Sequence, residues 1–354
     1  MPSDRLIDLY SDTKTKPTPA MRRFMMEAEV GDEQKGEDPT TSLLAERVAD
    51  LLGKEAAVFL PSGTMCNQIA LAVHCRPGDE VYLERGAHII NFEGGGPATL
   101  AGVVLNPIDG ERGVFTADQL SRVIREESRY GPKPRLVCLE QTANLGGGRV
   151  WPMEAIASVM ERARKSKLKG HLDGARLFNA TVKSGHKPAD YARHFDSLWI
   201  DFTKGLGAPV GAVLAGPKDF IHEAWQHKQR LGGAMRQSGI IAAACLYALD
   251  HHVERLAEDH ANAQTLAKAL SAIPGIRINP QHVETNIIFF DVADTGWRAA
   301  DLVAAARGRG VVIGAYGSTT VRVLTHLDVN AADVERAAGV IGDLLSKPSR
   351  AAAE

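Results

Sequence analysis

"SLWIDFTKGLG", residues 197–207, is an apolar run that ends on a lysine and a glycine. A short run of large apolar side chains predicts a buried β-strand in a sheet whose two faces are both covered. Lys204 at the end of this strand needs an explanation, because a charged ammonium group resists burial unless it is paired or neutralised. The lysine is either a surface residue whose stem lies along apolar surface, or a residue with a chemical function.

Further apolar runs alternate with helical patterns on either side of this stretch. Strands are predicted at 56–60, 80–83, 103–108, 135–140, 170–173 and 197–202, and helices at 40–53, 116–128 and 152–168. This order predicts an α/β fold with a mostly parallel sheet. After a long helical stretch at about 237–272, the pattern becomes that of a small α+β domain. We predict an N-terminal arm at 1–16, a large domain at 17–250, a small C-terminal domain at 251–347 and a disordered tail at 348–354.

The composition is typical of a soluble globular protein and argues against several other classes. The chain has 354 residues and a net charge of −2 with both signs interspersed, which gives no support for binding to nucleic acid or a membrane surface. No apolar run approaches the roughly 18 residues of a membrane span, and no signal-peptide pattern opens the chain, so we expect a cytoplasmic protein. The four cysteines form no CxxC pair and the histidines lack metal-ligand spacing, so neither a disulfide framework nor a metal site is predicted.

Polar residues follow three of the predicted strands, at the point where each strand ends. Residues 62–64, "SGT", follow the first strand, Asp173 follows "GHL", and Lys204 follows residues 197–202. Ligands of open parallel sheets bind beyond the carboxyl ends of the strands. A glycine turn that opens a helix suits a phosphate, a buried carboxylate suits a ring N–H, and a desolvated lysine forms a Schiff base with an aldehyde. Each feature also has a purely structural interpretation, but together they predict a pyridoxal 5'-phosphate site.

Ordered blocks along nearly the whole chain carry a resemblance to a known family. They include "DLYSDTKTKPTPAM", "FLPSGTMCN", "AHIINFEGGG", "HLDGARLFNA" and "TKGLGAPVGAVLAG". The chain resembles low-specificity L-threonine aldolases and the wider β-eliminating lyase group of fold-type I pyridoxal-phosphate enzymes. The resemblance implies an aspartate aminotransferase-like fold, a homotetramer (a dimer of dimers) with active sites at subunit interfaces, and retro-aldol cleavage of L-threonine, L-allo-threonine or a related β-hydroxy-α-amino acid to glycine and an aldehyde.

The same resemblance implies roles for individual residues. Lys204 is the implied Schiff-base lysine, Asp173 the partner of the pyridine nitrogen and His88 the histidine that stacks on the ring, and these three are the candidate catalytic residues. The other implied cofactor-binding residues are Ser62, Gly63, Thr64, Arg176 and Thr203. The implied substrate-binding residues are Ser11, Arg176, Arg322, Phe92 and Lys35. Three basic residues are candidates to reach a neighbouring subunit's cofactor phosphate, with a solvated helix end as the alternative for the first two: Lys228, Arg230 and Arg236.

Two positions depart from the family pattern and leave the preferred substrate open. Ala143 in "EQTANLGGG" stands where the family usually has a histidine, and Lys35 stands where an aromatic residue is typical. One hypothesis is a larger, anion-tolerant pocket for a bulkier or acidic β-hydroxy amino acid. The alternative is that water or another side chain replaces the histidine. The general base is then either His88 or a water molecule near the cofactor phosphate.

Two other functions remain as alternatives. The first is β-elimination with the same cofactor, which yields an oxo acid and ammonia instead of glycine and an aldehyde. The second is a non-catalytic pyridoxal-phosphate-binding regulator, although no helix-turn-helix pattern accompanies the predicted domains. The sequence does not decide whether a monovalent ion binds near the site.

Overall fold

The computed structural model describes residues 6–346, which group into two compact units. The larger unit spans Pro17–Val253, and the smaller unit joins the described residues up to Lys16 to those from Glu254 onward. The first five residues of the predicted arm and the whole predicted tail, 348–354, lie outside the described residues. The predicted division into domains stays a prediction, because a compact unit is not by itself an independently folding one.

Strands and helices alternate through most of the described chain. The strands are β1 (Ile7–Asp8), β2 (Ala56–Leu60), β3 (Asp79–Glu84), β4 (Val104–Ile108), β5 (Lys133–Glu140), β6 (Lys169–Gly174), β7 (Ser197–Asp201), β8 (Ala212–Gly216), β9 (Ile287–Asp291), β10 (Val311–Val312), β11 (Gly314–Ala315) and β12 (Thr320–Leu324). The helices are α1 (Pro19–Met26), α2 (Pro39–Leu52), α3 (Gly63–His74), α4 (His88–Asn91), α5 (Ala117–Val123), α6 (Met153–Lys165), α7 (Leu177–Ser184), α8 (Pro188–Ala192), α9 (Lys218–Arg230), α10 (Gly239–His251), α11 (Leu256–Ser271), α12 (Ala299–Gly308) and α13 (Ala331–Leu345).

The larger unit is built on a sheet with the strand order β2-β8-β7-β6-β5-β3-β4, counted over the residues that the structure describes. Strands β3 to β7 pair in parallel, whereas β8 runs antiparallel to both of its neighbours, β2 and β7. Every residue of β7 and β8 is buried, as expected for central strands covered on both faces. The predicted mostly parallel α/β sheet is therefore confirmed, although "AVLAG" of β8 was not among the predicted strands.

Local signals in the sequence set the ends of α2, the helix predicted at 40–53. The Asp38 carboxylate accepts the backbone N–H of Thr41 at 2.8 Å, and Pro39 occupies the first turn, where its missing N–H costs nothing. Gly53 ends the helix with a φ of 61°, in the left-handed region that favours glycine. The predicted helix 40–53 is confirmed within one residue at each end.

Two predicted helical stretches are interrupted in the structure, and a tertiary hydrogen bond lies next to each interruption. The helix predicted at 116–128 ends at Val123, and the Nε of Arg125 then donates to the buried Glu80 carboxylate at 2.9 Å. The stretch predicted as helical at 237–272 is divided into α10 and α11. His252 follows α10, and its Nδ1 hydrogen-bonds the carbonyl oxygen of Leu206 at 2.7 Å.

The smaller unit has the α+β pattern that the sequence predicts for its C-terminal part. Strands β11, β12 and β9 form an antiparallel sheet in that order, and β1 pairs in parallel with β10. Apolar side chains from α11, β9, β12 and α13, such as Leu266, Phe290, Val323 and Ile341, make one buried core. Within residues 6–346, none of the helices has both the length and the apolar character needed to cross a membrane.

Candidate active site

Several predicted site residues lie at one edge of the sheet in the larger unit. Asp173 lies near the carboxyl end of β6, and the neighbouring strands β5 and β7 end on Glu140 and Asp201. Lys204 follows the end of β7 by three residues. Because these strands are parallel neighbours, their carboxyl ends meet at the same edge, which is where open α/β sheets bind ligands.

Asp173 is a buried carboxylate held by two N–H donors. Its Oδ2 accepts Nδ2 of Asn67 at 2.8 Å, and its Oδ1 accepts the backbone N–H of Ala175 at 3.0 Å. Burial raises the pKa of Asp173, whereas the hydrogen bond from Asn67 and the charge of His88 act against this rise. A carboxylate oxygen can accept more than one donor, so Asp173 retains capacity for one further N–H.

Glu93 connects His88 to the side chains that hold Asp173. Its Oε1 lies 2.9 Å from His88 Nδ1 and accepts Nδ2 of Asn67 at 2.7 Å, while its other oxygen accepts Nε2 of Gln68. Burial lowers the pKa of His88, but the hydrogen bond to Glu93 and the charge of Asp173 outweigh it, so that the net shift is upward. The Glu93 carboxylate therefore orients the imidazole with Nδ1–H toward it.

Glu140 holds two backbone segments of the cluster, one at His88 and one at Asn144. Its two oxygens accept the backbone N–H groups of His88 and Asn144, each at 2.7 Å. Burial and the charge of Asp173 raise the pKa of Glu140 to about 7, although the two N–H groups act in the opposite direction. The Phe92 ring lies 5.4 Å from the His88 ring, centroid to centroid, and is about half exposed. His88 is thus held by its backbone as well as by its ring.

The Lys204 ammonium group is paired with Asp201. Its Nζ hydrogen-bonds Oδ2 of Asp201 and lies 5.8 Å from the centroid of the Trp199 ring. The other Asp201 oxygen accepts the backbone N–H of Thr203 at 2.9 Å and its hydroxyl at 2.8 Å. A charged amine at the end of a buried strand is therefore compensated by a carboxylate three residues earlier.

The turn at residues 62–64 opens α3, the first helix after β2. Ser62 is the N-cap, and its hydroxyl accepts the backbone N–H of Met65 at 3.2 Å. Ser62 and Thr64 are exposed, so the N–H groups of this helix end can face a ligand. Gly63 packs against Trp199, because a Cβ atom at Gly63 would overlap the indole ring. The glycine is required here by packing as well as by any phosphate.

Gly63→Ala should destabilise the larger unit by about 1–3 kcal/mol, because the added methyl group forces the buried indole of Trp199 to shift. Denaturant unfolding measures this free energy. The matched control is Gly339→Ala in α13, where an added Cβ atom meets no other atom within 4 Å. This substitution should stabilise the protein by about 0.5–1 kcal/mol. Equal denaturant midpoints for the two variants would show that Gly63 is not required by its packing against Trp199.

The other predicted residues are placed as follows. Arg176 is buried just before α7, and its backbone N–H donates to the carbonyl oxygen of Gln141 at 2.9 Å. Lys35 is exposed on the turn Glu33–Lys35, and no hydrogen bond or ion pair of the described residues joins it to the cluster.

Ser11 and Arg322 belong to the smaller unit. The Ser11 hydroxyl accepts the backbone N–H of Thr13 at 3.2 Å and its hydroxyl at 2.8 Å, and Arg322 lies on β12. The backbone N–H of Leu324 donates to the carbonyl oxygen of Leu9 at 2.9 Å and so ties the two segments together.

Lys228 is buried, so its interpretation as a solvated helix end is wrong. Its Nζ pairs with Oε1 of Glu33 and lies 4.2 Å from the centroid of the Trp225 ring. The second Glu33 oxygen accepts the backbone N–H of Met235 at 2.8 Å. A buried lysine needs such a partner, and this one is supplied by the same chain.

Arg230 and Arg236 differ from Lys228. Arg230 is exposed at the end of α9, as the solvated-end interpretation predicts. Arg236 is about half exposed and donates to the Asp32 carboxylate at 2.8 Å.

Ala143 is buried against two glycines. A Cβ atom on Gly113 would overlap the Ala143 methyl group, and one on Gly146 would lie 3.0 Å from it. The methyl group already fills the space on this side. The packing therefore gives no support for an enlarged pocket at this position.

Sequence reasoning missed four polar residues of the cluster: Asn67, Glu93, Glu140 and Asp201. Glu140 ends a predicted strand and Asp201 is the last residue but one of another, so the rule that selected Asp173 could have found them. Asn67 and Glu93 carry no such signal, because they lie inside α3 and in a loop.

Comparisons with known proteins identify the family of this chain. Residues 8–294 match the beta-eliminating lyase family. Low-specificity L-threonine aldolase 1 of Arabidopsis thaliana is 41% identical over 335 residues, which cover 93% of this chain and 94% of that protein. The low specificity L-threonine aldolase of Escherichia coli strain K12 is 42% identical over 326 residues, which cover 92% of this chain and 95% of that protein.

The fold has close likenesses among solved structures. The threonine aldolase of Leishmania major superimposes with a TM-score of 0.81 at 21% identity, over 96% of this chain and 99% of that one. At this identity the likeness concerns the fold alone, and it confirms the predicted fold class. The extent of the family match and the sequence identity to the curated relatives show that this chain belongs to the beta-eliminating lyase family.

Proposed function

We propose that this protein is a pyridoxal 5'-phosphate-dependent carbon–carbon lyase that cleaves L-threonine, L-allo-threonine or a related β-hydroxy-α-amino acid to glycine and an aldehyde. The observation that supports this most is the placement of a lysine amine and a buried carboxylate at the ends of adjacent strands, in Lys204 and Asp173. The curated relatives that share 41–42% of their residues with the chain are low-specificity L-threonine aldolases.

The residues present fit this cofactor. Asp173 can accept a ring N–H, Lys204 can supply an amine, and the N–H groups that open α3 after Ser62 can hold a phosphate. When bound, pyridoxal 5'-phosphate supplies an aldehyde for attachment to an amine and a ring that accepts the electron pair of a broken Cα–Cβ bond. The further cofactor-binding roles of Gly63, Thr64, Thr203 and Arg176 are part of this proposal.

His88 is the proposed general base for the β-hydroxyl proton of the substrate. Glu93 accepts the proton-bearing Nδ1, so the neutral ring presents Nε2 with a free electron pair. Glu140 holds the backbone of His88, which limits the positions that the ring can take. A water molecule near the cofactor phosphate is the alternative base.

Glu93→Gln should lower the pKa of His88, because the carboxylate that stabilises the imidazolium is lost. A base must be neutral to act, so the acid limb of the pH profile of kcat/KM should move to lower pH. The matched control is Glu161→Gln on the exposed face of α6, which should leave the limb in place. If the acid limb of Glu93→Gln does not move, the group that titrates in this limb is not His88 but another one, such as Glu140.

Substrate binding is proposed to involve Ser11, Arg176, Arg322, Phe92 and Lys35. Arginine forks suit the substrate α-carboxylate, since two parallel N–H···O bonds fix its orientation. A panel of β-hydroxy-α-amino acids, including bulkier and acidic ones, tests both the reaction and the preference. Glycine and an aldehyde as products support the proposal, whereas an oxo acid and ammonia indicate β-elimination.

A homotetramer is proposed from the apolar surface of the larger unit. Helices α1, α2 and α10 carry exposed Phe24, Met26, Leu43 and Ile240, and Met26 is 86% exposed. Large exposed apolar side chains on neighbouring helices are typical of protein interfaces, and a second copy of this chain is the proposed partner. Light scattering of the purified protein tests the assembly.

A cytoplasmic location is also proposed. The cysteines of the described residues, Cys66, Cys75, Cys138 and Cys245, are all free and buried, which is typical of proteins from a reducing compartment.

A further inference from the structure

Asn67 is a buried amide that uses its full hydrogen-bonding capacity. Its Nδ2 donates to Asp173 at 2.8 Å and to Glu93 at 2.7 Å, and its Oδ1 lies 2.7 Å from Nε1 of Trp199 and 3.2 Å from Nε2 of His171. An amide has two N–H donors and two acceptor positions, so these four bonds leave none unused. Asn67 is therefore a junction between the two carboxylates and the strands behind them.

The chemistry of its partners decides which way the Asn67 amide points. Trp199 Nε1 can only donate, so the atom facing it must be the oxygen. The two carboxylates need donors, so the nitrogen faces Asp173 and Glu93. Consequently Oδ1 must accept from His171 as well, and the proton of the His171 ring lies on Nε2.

This orientation propagates outward through two more residues. Burial, and secondarily the neighbouring His74, lowers the pKa of His171 to about 3, so the ring is neutral and its Nδ1 is an acceptor. Ser197 Oγ, 2.8 Å from this Nδ1, must therefore donate its proton to it. The same oxygen then accepts from His74 Nε2 at 2.7 Å, and burial lowers the pKa of His74 to about 4.

The hydrogen bonds thus run in one direction, from His74 through Ser197, His171 and Asn67 to Asp173. We propose that Asn67 and His171 are positioning residues that use this one-way chain to keep the Asp173 carboxylate charged and aimed at the cofactor's ring nitrogen. The inference rests on the proposed function, since it concerns the carboxylate assigned to the cofactor. Neither Asn67 nor His171 touches the reacting atoms in this proposal.

A chain of aligned hydrogen bonds should stabilise a buried charge more than an isolated bond does. Each donor polarises the next one, so the Asn67 N–H that faces Asp173 is a stronger donor than that of a free amide. Ser197, His171 and Asn67 are fully buried, so water does not compete for these bonds. Asp173 accepts the last bond of this hydrogen-bond chain, so the polarisation of all the earlier bonds strengthens the bond to its carboxylate.

Neutron diffraction of the purified protein tests the chain directly. The expected result is a proton on Nε2 of both His171 and His74, none on Nδ1 of His171, and the Ser197 hydroxyl proton directed at His171. A proton on Nδ1 of His171, or an imidazolium at either histidine, would overturn the proposal. This measurement needs neither activity nor bound cofactor.

Variants of His171 test whether the chain acts on the cofactor site. His171→Phe keeps an aromatic ring of similar size but removes both hydrogen bonds, and the affinity for pyridoxal 5'-phosphate, titrated without amino acid, should fall about tenfold. A glutamine in His171→Gln can accept the hydrogen bond from Ser197 and donate one to Asn67. The affinity of this variant should therefore lie within about threefold of that of the unaltered protein. Thr41→Val, which removes a buried hydrogen bond to Ser238 elsewhere in the larger unit, should leave the affinity for pyridoxal 5'-phosphate unchanged.

Two outcomes separate this inference from the proposed function. If the unaltered protein binds no pyridoxal 5'-phosphate, the proposed function fails while the proton positions still test the chain. If it binds the cofactor and His171→Phe and His171→Gln lose affinity equally, His171 acts only by filling space and the inference is wrong. Should His171→Phe not fold, Ser197→Ala interrupts the chain one bond further out with little change in volume, and it should weaken binding about threefold.

Discussion

Lys204→Ala should abolish the visible absorption of the cofactor-bound protein and lower its lyase activity by about 10⁴- to 10⁶-fold. Removing the group that forms the covalent bond typically has effects of this order, because the remaining residues cannot replace it. The variant should fold, since Lys204 is paired with one side chain, Asp201, at the edge of the sheet. Absorption spectra and product formation measure the two effects.

The control for this prediction is a second partly buried lysine. Lys54 donates from Nζ to the carbonyl oxygen of Phe195 at 2.6 Å, and burial lowers its pKa. Lys54→Met should keep both the absorption band and the activity. A coloured, active Lys204→Ala variant would refute the assignment of the cofactor-binding lysine.

Asp173→Asn should lower activity by about 10²- to 10³-fold, the range observed when a group that stabilises charge is removed from an active site. Both Asp173 oxygens accept N–H donors, from Asn67 and Ala175, so an amide at this position turns one acceptor into a donor that faces another donor. The negative charge beside the proposed ring nitrogen is lost as well. Steady-state kinetics and a cofactor titration measure the result.

Asp196→Asn is the matched control. Asp196 lies just before β7, at the amino end of the strand, and it accepts the backbone N–H of Gly170 and the ammonium group of Lys169, both at 2.8 Å. This substitution also removes the charge of a carboxylate that accepts two donors. It should therefore lower the stability of the fold but leave the steady-state kinetics unchanged. Equal kinetic losses in the two variants would show that Asp173 acts through folding alone.

The sequence was most informative where the structure depends on neighbours in the chain. The apolar runs that became β2, β5, β6 and β7 are short, and a polar residue lies at the end of each strand or within two residues of it, so strands and their carboxyl ends could be predicted. The two ends of α2 could be predicted for the same reason, because capping by residues such as Asp38 and Gly53 acts within a few residues. Lys204 and Asp173 were found by this route.

The sequence was least informative where a side chain depends on a distant partner. Lys228 near the end of α9 looks like a surface lysine, but Glu33, 195 positions away, pairs with it in the interior. Asn67 lies in an apolar helix and contacts Asp173, which is 106 positions away. Helical periodicity shows which face is buried and does not show what that face meets.

Ala143 illustrates both sides of this difference. The departure from the family pattern was visible in the sequence, and one of the two hypotheses drawn from it was added space beside the substrate. The structure shows the methyl group packed against Gly113 and Gly146. The consequence of a missing side chain depends on what surrounds it, which a family pattern does not contain.

The sequence by itself determined the mostly parallel α/β sheet except for β8, and the three chemical groups at the strand ends, because these follow from local periodicity and chain order. Only the tertiary structure decided that Asp201 pairs with Lys204, that Glu93 orients His88 and that Asn67 links Asp173 to His171. The physical reason is that a buried polar group must find its hydrogen-bond partner wherever folding brings one within about 3 Å. That partner is set by how the elements pack, and no local pattern encodes it.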